Sequence, residues 1–158
     1  MASDELDKVE LPALEQLQSL GWSYVEGAQL SPDESAERSS LKDVVLEKRL
    51  TESLKRINPW INDENLRKVI RELTKTLYPN LIEANQGIWT HINQCISVMQ
   101  DLGKGNKGQT VHIIDFEHPE NNEFLCTNQF KVSGVNQNII PDILCFVNGL
   151  PLAVIECK

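Results

Sequence analysis

The sequence lacks a long apolar run, a basic amino terminus and an excess of positive charge. No apolar segment approaches the roughly 20 residues that a membrane helix needs, and the acidic start, Met1-Ala-Ser-Asp-Glu-Leu-Asp7, differs from the basic start of a signal peptide. These absences predict a cytoplasmic protein with no membrane partner. The net charge of −8 at pH 7 argues against a protein that grips nucleic acid mainly by its overall charge.

Cysteine and histidine are scarce, and neither is spaced as a metal-binding motif. The 4 cysteines form no CxxC pair and fall in apolar contexts, at positions 95, 126, 145 and 157. They predict free, buried thiols in a reducing compartment rather than disulfides or a zinc site. No two of the 3 histidines have metal-ligand spacing, which also argues against zinc.

Apolar residues recur at helical spacing through the first two thirds of the chain. Leucines at positions 11, 14, 17 and 20 predict a helix that ends at Gly21. Further helices are predicted at 41–57, 63–77 and 80–102. Their apolar stripes predict packing in a core rather than contacts to a cofactor.

After residue 102 the pattern changes to a loop and then to strands. The loop at 103–110 is rich in glycine, but Gln109 stands where a phosphate-binding P-loop requires lysine, so no ATP site is predicted in this chain. Alternating residues predict strands at 111–117 and 123–132, and two more strands follow near the end of the chain.

The expected fold class is α+β, with helices followed by a mixed β-sheet. The length of 158 residues suits one domain. Within that domain, residues 1–102 are predicted to be mainly helical, 103–110 to form a loop, and 111–158 to form the β part.

The end of the chain predicts a β-hairpin. Two apolar runs, 143–147 and 152–155, are separated by Asn148-Gly149, the pair that most readily supplies the positive φ angles of a tight turn. The two runs are therefore expected to pair as antiparallel strands.

Charged side chains lie at one end of this hairpin. Antiparallel pairing places Asp142 opposite Ile155 or Glu156, so that two carboxylates lie on neighbouring strands, about 5 Å apart at Cβ if directly opposite. Alternation puts Glu156 and Lys158 on one face and turns Cys157 away. These charged residues have two interpretations. They mark the point where the strands reach water, or they form a catalytic cluster.

The same residues match a nuclease signature. Pro141-Asp142 followed by Glu156-x-Lys158 resembles the PD-(D/E)xK signature, which alone is short and loosely spaced. The surrounding segments 140–158 and 121–130 are similar to the N-terminal nuclease region of type I restriction enzyme R subunits. The resemblance covers nearly the whole chain and includes Val9-Glu10, Leu20-Gly-Trp22, Val44-Val-Leu-Glu-Lys-Arg-Leu50, Asn58-Pro59, Leu81-Ile-Glu-Ala-Asn85 and Ile114-Asp-Phe116.

This resemblance implies a restriction endonuclease-like core and a DNA endonuclease that uses Mg²⁺. It implies catalytic roles for Asp142, Glu156 and Lys158, with the lysine orienting the attacking water or stabilising the phosphorus centre. The metal ligands would be Asp142, Glu156 and the main-chain carbonyl of Cys157. Glu10 is a further candidate ligand, and a first-turn acid favoured by the helix dipole is the alternative for that residue.

The resemblance also implies a larger assembly. In the intact protein the nuclease would be coupled to ATP-driven DNA translocation, with double-stranded DNA and the specificity and methyltransferase subunits as partners. A helix bearing Gln-x-x-x-Tyr and a further strand follow in the resembled subunits, so this chain is expected to be an incomplete nuclease domain, inactive alone. The alternatives are an inactive remnant, a subunit-binding module, or a standalone PD-(D/E)xK nuclease.

Positive charge is concentrated in the middle of the chain. Residues 65–110 carry 6 Lys and Arg against 3 Asp and Glu, whereas the segments on either side are acidic. Lys104 and Lys107 are candidates for contacts to the DNA backbone, and a solvated surface is the alternative.

Overall fold

The computed structural model describes residues 6–74 and 80–157, which fall into two compact units. One unit combines the chain up to Arg49 with the chain from Glu123 onward, and the other runs from Leu50 to Asn122. No helix in the described parts of the chain is long and apolar enough to cross a membrane.

The described helices and strands follow one another in a fixed order along the chain. They are a π-helical turn at Leu6–Glu10, α1 (Leu11–Ser19), β1 (Ser23–Tyr24), a 3₁₀ turn at Gly27–Leu30, α2 (Glu47–Ile57), α3 (Asp63–Thr74), α4 (Leu81–Gln94), β2 (Ile96–Asp101), β3 (Asn106–Val111), a 3₁₀ turn at Pro119–Asn121, β4 (Phe124–Asn128), β5 (Val132–Ser133), β6 (Asn138–Ile139), β7 (Ile143–Val147) and β8 (Leu150–Ile155).

The first unit contains a mixed sheet with the described strands in the order β1-β4-β7-β8. β1 is parallel to β4, and the other neighbouring pairs are antiparallel. Because successive side chains on a strand point to opposite faces, the sheet buries apolar residues on both sides. One face carries the cluster Leu30, Leu46, Leu125, Phe130, Leu144 and Phe146. The other packs against α1 through Leu14, Cys126, Ile143, Cys145 and Cys157.

Helix α1 and the terminal hairpin confirm two sequence predictions. The helix ends at Ser19, and Gly21 takes a φ of +95° that residues with a Cβ rarely adopt. In the hairpin, Asn148 and Gly149 both have positive φ, as a tight turn between twisted strands requires. Asn148 is also tied to Glu123 by two hydrogen bonds: its Oδ1 accepts from the main-chain N–H of Glu123, and its own main-chain N–H donates to the carbonyl of Glu123.

The second unit contains α3, α4, most of α2 and the two-stranded antiparallel ribbon of β2 and β3. Apolar stripes on the helices are buried, as predicted, through residues such as Leu54, Leu66 and Val69. Buried amides also connect the elements of this unit. Asn58 exchanges two hydrogen bonds of 2.9 Å with the main chain of His112.

The helix predicted at 80–102 is wrong beyond Gln94. Strand β2 follows, and Cys95 breaks the helix with a φ of 61°. Ile92, Ile96 and Met99 suggested a helix by their spacing, but burial within 96–101 alternates strictly, as in a strand with one face covered.

The boundaries of the neighbouring predictions also change. The loop predicted at 103–110 is a turn only up to Gly105, because β3 begins at Asn106 and ends at Val111, where a strand was predicted to begin. Pairing with β2 here overrides the weak strand propensity of a Gly- and Lys-rich segment. The helix predicted at 41–57 begins at Glu47, and the strand predicted at 123–132 ends at Asn128. The part of the helix predicted at 63–77 that follows Thr74 lies outside the described residues.

The α+β class with a mixed sheet is confirmed. The four cysteines are free, as predicted, and three of them are buried, whereas Cys95 is partly exposed. The nuclease-type core remains a prediction from the resemblance.

Candidate functional site

The candidate site lies at one end of the mixed sheet, where β4 and β8 end and β7 begins. Asn128 pairs with Ile143, which in turn pairs with Ile155 on the other side. Asp142 and Glu156 come one step past these pairs. The register thus places Asp142 beside Glu156 on the neighbouring strand. This is one of the two alternatives that the hairpin pattern predicted, and it results from a register shift between Cys145 and Phe146.

Asp142 is held through both its side chain and its main chain. Its Oδ2 atom accepts a hydrogen bond of 2.7 Å from the N–H of Cys157. Its main-chain carbonyl accepts a longer one, 3.3 Å, from the N–H of Gln129. The side chain is half-buried. A carboxylate fixed in this way has a defined direction before any ligand binds.

The other residues of the predicted signature differ in their surroundings. Glu156 is exposed, and the Cys157 side chain is buried in the apolar cluster beneath α1, turned away as alternation predicted. Lys158 lies outside the described residues, so its position near Glu156 remains a prediction.

Glu10 is buried immediately before α1, with only 4% of its surface exposed. Its Oε1 accepts a hydrogen bond of 2.9 Å from the side-chain amide of Asn128, and its Oε2 accepts one of 3.3 Å from the side-chain amide of Gln129. The hydroxyl of Tyr24 donates to Oδ1 of Asn128 at 2.8 Å. Glu10, Tyr24, Asn128 and Gln129 are called the Glu10 network below.

Three members of the Glu10 network, Tyr24, Asn128 and Gln129, are absent from the sequence-predicted site. The signal that was available is the adjacent pair of amide side chains, Asn128-Gln129, at the end of a strand that begins with three apolar residues. Buried polar side chains at such a position need hydrogen-bond partners, and the sequence alone does not show which residues provide them.

Burial governs the ionisation of the groups around this network. It raises the pKa of Tyr24, and the nearby acids Glu26 and Glu10 raise it further. The hydroxyl therefore stays protonated and serves as a donor. Burial, assisted by Cys145, also raises the pKa of the Cys126 thiol to about 11. The Cys126 thiol therefore remains neutral near pH 7 and is a poor ligand for a metal ion.

Within residues 6–74 and 80–157, no three His, Cys, Asp or Glu side chains form a group that could hold a metal ion. Glu10, Asp142 and Glu156 thus do not make a three-carboxylate cluster. The donors that remain near the hairpin end are the carboxylates of Asp142 and Glu156 and the main-chain carbonyl of Cys157. All are hard oxygen atoms, a set that suits Mg²⁺ with water completing its coordination.

The two candidate DNA-contacting lysines belong to the second unit, whereas Asp142 and Glu156 belong to the first. Lys104 lies in the turn between β2 and β3, where its N–H donates to the side chain of Asp101 at 3.1 Å. Lys107 lies on β3 opposite Gln100. Both lysines are exposed.

The chain belongs to the family described as the N terminus of type I restriction enzyme R proteins, whose model matches residues 3–158. The chain is 35% identical over 152 residues to the type I restriction enzyme HindI endonuclease subunit of Haemophilus influenzae, with 95% of this chain and 14% of the relative covered. It is 33% identical over 153 residues to a Methanocaldococcus jannaschii protein named as a candidate type I restriction enzyme MjaIXP endonuclease subunit, with 95% and 15% covered. The chain therefore spans only about one seventh of the length of these relatives.

Proposed function

We propose that the chain is the DNA endonuclease region of a type I restriction enzyme R subunit and hydrolyses phosphodiester bonds with Mg²⁺. The observation that carries the proposal is the register of β7 and β8, which brings Asp142 beside Glu156 at the end of an apolar hairpin. Acidic side chains are costly in such surroundings unless they bind a cation or reach water. Two at adjacent positions concentrate negative charge where a divalent cation is favoured.

The residues of the site have separate tasks in this proposal. Asp142, Glu156 and the carbonyl of Cys157 would hold Mg²⁺, which when bound supplies Lewis-acid stabilisation of charge on the phosphate. The N–H groups of Cys157 and Gln129 keep Asp142 in one orientation, so little rearrangement is needed when a cation arrives. Lys158 would orient the attacking water or stabilise the pentavalent phosphorus.

The activity of the whole protein extends the proposal beyond this chain. Because the related proteins are named as endonuclease subunits, we infer that the chain works in a cytoplasmic restriction complex with specificity and methyltransferase subunits. Its cleavage would be coupled to ATP-driven translocation along double-stranded DNA. ATP would act elsewhere in the intact protein.

Cleavage by the intact R subunit, assembled with its partner subunits, tests the catalytic residues. Asp142→Ala, Glu156→Gln and Lys158→Ala should each abolish cleavage of a circular DNA substrate in Mg²⁺ and ATP. ATP hydrolysis should continue, which shows that the rest of the subunit is folded. Glu15→Gln is the matched control, because Glu15 is an exposed acid on α1. Full cleavage by the Asp142 variant would refute the proposal.

Lys104 and Lys107 are proposed to contact DNA phosphates. Replacing each by alanine should weaken DNA binding and lower the slope of log affinity against log salt concentration by about 0.9 per phosphate contact. Lys42 and Lys48, exposed lysines of the first unit, provide control substitutions of equal charge. An unchanged salt slope would remove these contacts from the proposal.

A subunit-binding module is the second candidate function. Strand β8 favours it, because Leu152, Val154 and Ile155 are 43%, 58% and 37% exposed, which is unusual for neighbouring apolar residues on a strand. A pure binding module would keep its fold, its partners and the activity of the complex when Asp142 and Glu156 are both changed to alanine. Loss of cleavage in that double variant, with assembly retained, would favour the nuclease.

A further inference from the structure

We propose that Glu10 is a positioning residue that anchors Asp142 through Gln129, and that it is not a metal ligand. The inference rests on the proposed nuclease function only for the role assigned to Asp142. The hydrogen bonds from which it is argued lie within a single compact unit, and they do not depend on the proposed function.

The carboxylate of Glu10 is already engaged on both sides. A buried acid needs donors for its oxygens, and here one oxygen accepts from Asn128 and the other from Gln129. Among the described residues Glu10 belongs to no group of three potential metal ligands. The carboxylate of Glu10 therefore acts as a hydrogen-bond acceptor for two side-chain amides.

Gln129 connects Glu10 to Asp142. Its side-chain amide donates to Glu10, and its main-chain N–H donates to the carbonyl of Asp142. Its φ of 51° lies in the left-handed region, which is unfavourable for a residue with a Cβ unless outside contacts hold it. The bond to Glu10 is such a contact, so losing it should release both the conformation of Gln129 and the bond to Asp142.

Asn128 and Tyr24 fix the other side of the Glu10 carboxylate. Asn128 is buried at the end of β4 and donates to Glu10 while its own oxygen accepts from the hydroxyl of Tyr24. Because Tyr24 lies on β1 beside β4, the bond ties the network to two strands of the sheet. Glu10 is thereby held by Asn128, and Glu10 in turn accepts from the side-chain amide of Gln129.

The effect of the anchor extends to the side chain of Asp142. The same residue that accepts from Gln129 at its carbonyl accepts from the N–H of Cys157 at Oδ2. A shift of the main chain at Asp142 would therefore lengthen the bond to Cys157 as well. The amide of Gln129 therefore reports on the main-chain carbonyl of Asp142, and the amide of Cys157 reports on its carboxylate.

Amide hydrogen exchange of the 158-residue chain, followed by NMR, tests the network directly. Glu10→Gln removes the charge, and Gln129→Met removes the side-chain amide at similar volume. Each should speed exchange of the Gln129 and Cys157 amides about five- to tenfold, the effect of losing one ordinary hydrogen bond. Exchange of the Leu144 amide in the central strand β7 should stay unchanged, which separates a local effect from unfolding.

Two further features of the exchange experiment decide the outcome. The double variant should exchange no faster than the faster single variant, because the two residues act through one connection. Glu15→Gln on the exposed face of α1 should have no effect. Unchanged exchange at Gln129 and Cys157 in both single variants would overturn the proposal.

Titration with Mn²⁺, used as a probe for the proposed Mg²⁺ site, separates positioning from ligation. Residues that orient a ligand typically change metal affinity by about 10- to 100-fold. Glu10→Gln and Gln129→Met should weaken binding by similar factors within that range, and Asp142→Asn should weaken it more. A loss with Glu10→Gln equal to that with Asp142→Asn, with none for Gln129→Met, would make Glu10 a ligand and overturn the inference. If the unaltered chain binds no Mn²⁺, the proposed metal site fails, and the exchange experiment still decides the network.

Discussion

Arg38 offers a demanding test of how the first unit is held together. Its side chain is 4% exposed, and its guanidinium donates hydrogen bonds to the carbonyls of Leu41, Asp43 and Lys131 at 2.7 to 3.0 Å. The same group lies 4.0 Å from the centre of the Phe130 ring. One side chain thus closes the loop before α2 and covers an aromatic ring of the core.

The cost of Arg38→Met follows from what is left unpaired. The carbonyl of Leu41 keeps a partner after the substitution, because it also accepts from the N–H of Ser133. The unsatisfied carbonyls are therefore those of Asp43 and Lys131. At about 1–2 kcal/mol for each unsatisfied carbonyl, the loss is about 2–4 kcal/mol. Burial disfavours the charged guanidinium and lowers the pKa of Arg38. Removing the buried charge recovers its desolvation cost, and this gain offsets the lost interaction with the Phe130 ring.

Urea unfolding of the chain measures this loss as a change in the free energy of unfolding. Lys42→Met is the matched control, because Lys42 is exposed in the same loop and should change stability by less than about 0.5 kcal/mol. An Arg38→Met variant as stable as the parent would refute the reasoning. It would show that the desolvation of the buried cation equals or exceeds the worth of its three hydrogen bonds.

Two other predictions follow from buried ionisable groups. At pH 8 a thiol reagent should modify Cys95 first and Cys126 last, because Cys126 is fully buried and has a pKa of about 11; equal rates for the two would contradict the structure. In a Tyr78→Phe variant, absorbance at the tyrosinate band should show Tyr24 ionising above pH 10.0, because burial raises its pKa. The folded state then keeps a proton that the unfolded state loses, so stability falls as the pH rises through the pKa of folded Tyr24, and ionisation at or below 10.0 would contradict the burial.

The parts of the fold that could be predicted from the sequence depend on local chemistry. Asn148-Gly149 determines the hairpin because few residue pairs tolerate two positive φ angles. The α1 leucines and Gly21 likewise define a helix and its end within one short window. The turn alone leaves either Ile155 or Glu156 opposite Asp142, and a register shift between Cys145 and Phe146 selects Glu156.

The parts that could not be predicted depend on pairing between segments. Strand β3 has little strand propensity of its own and exists because Ile96 to Asp101 pair with it residue by residue. The hydrogen bonds of the Glu10 network join residues 104 to 119 positions apart in the chain, and no periodicity or motif predicts such contacts. For this reason the sequence identifies Glu10 as an acid of interest, and only the structure shows the amides that hold it.

The close approach of Gly27 to the end of β4 allows the Glu10 network to be disturbed from outside. A Cβ on Gly27 would stand 2.2 Å from the carbonyl oxygen of Asn128 and 2.8 Å from that of Gln129. Both contacts are with main chain, so no rotamer change can relieve them, and Gly27→Ala should cost about 1–3 kcal/mol of stability, as overpacking does. It should also speed amide exchange at Gln129, while Gln29→Ala, at an exposed position of the same turn, should do neither. If Gly27→Ala is tolerated with normal exchange at Gln129, the end of β4 can move without releasing Asp142, and the position of that acid must be set by the hairpin alone.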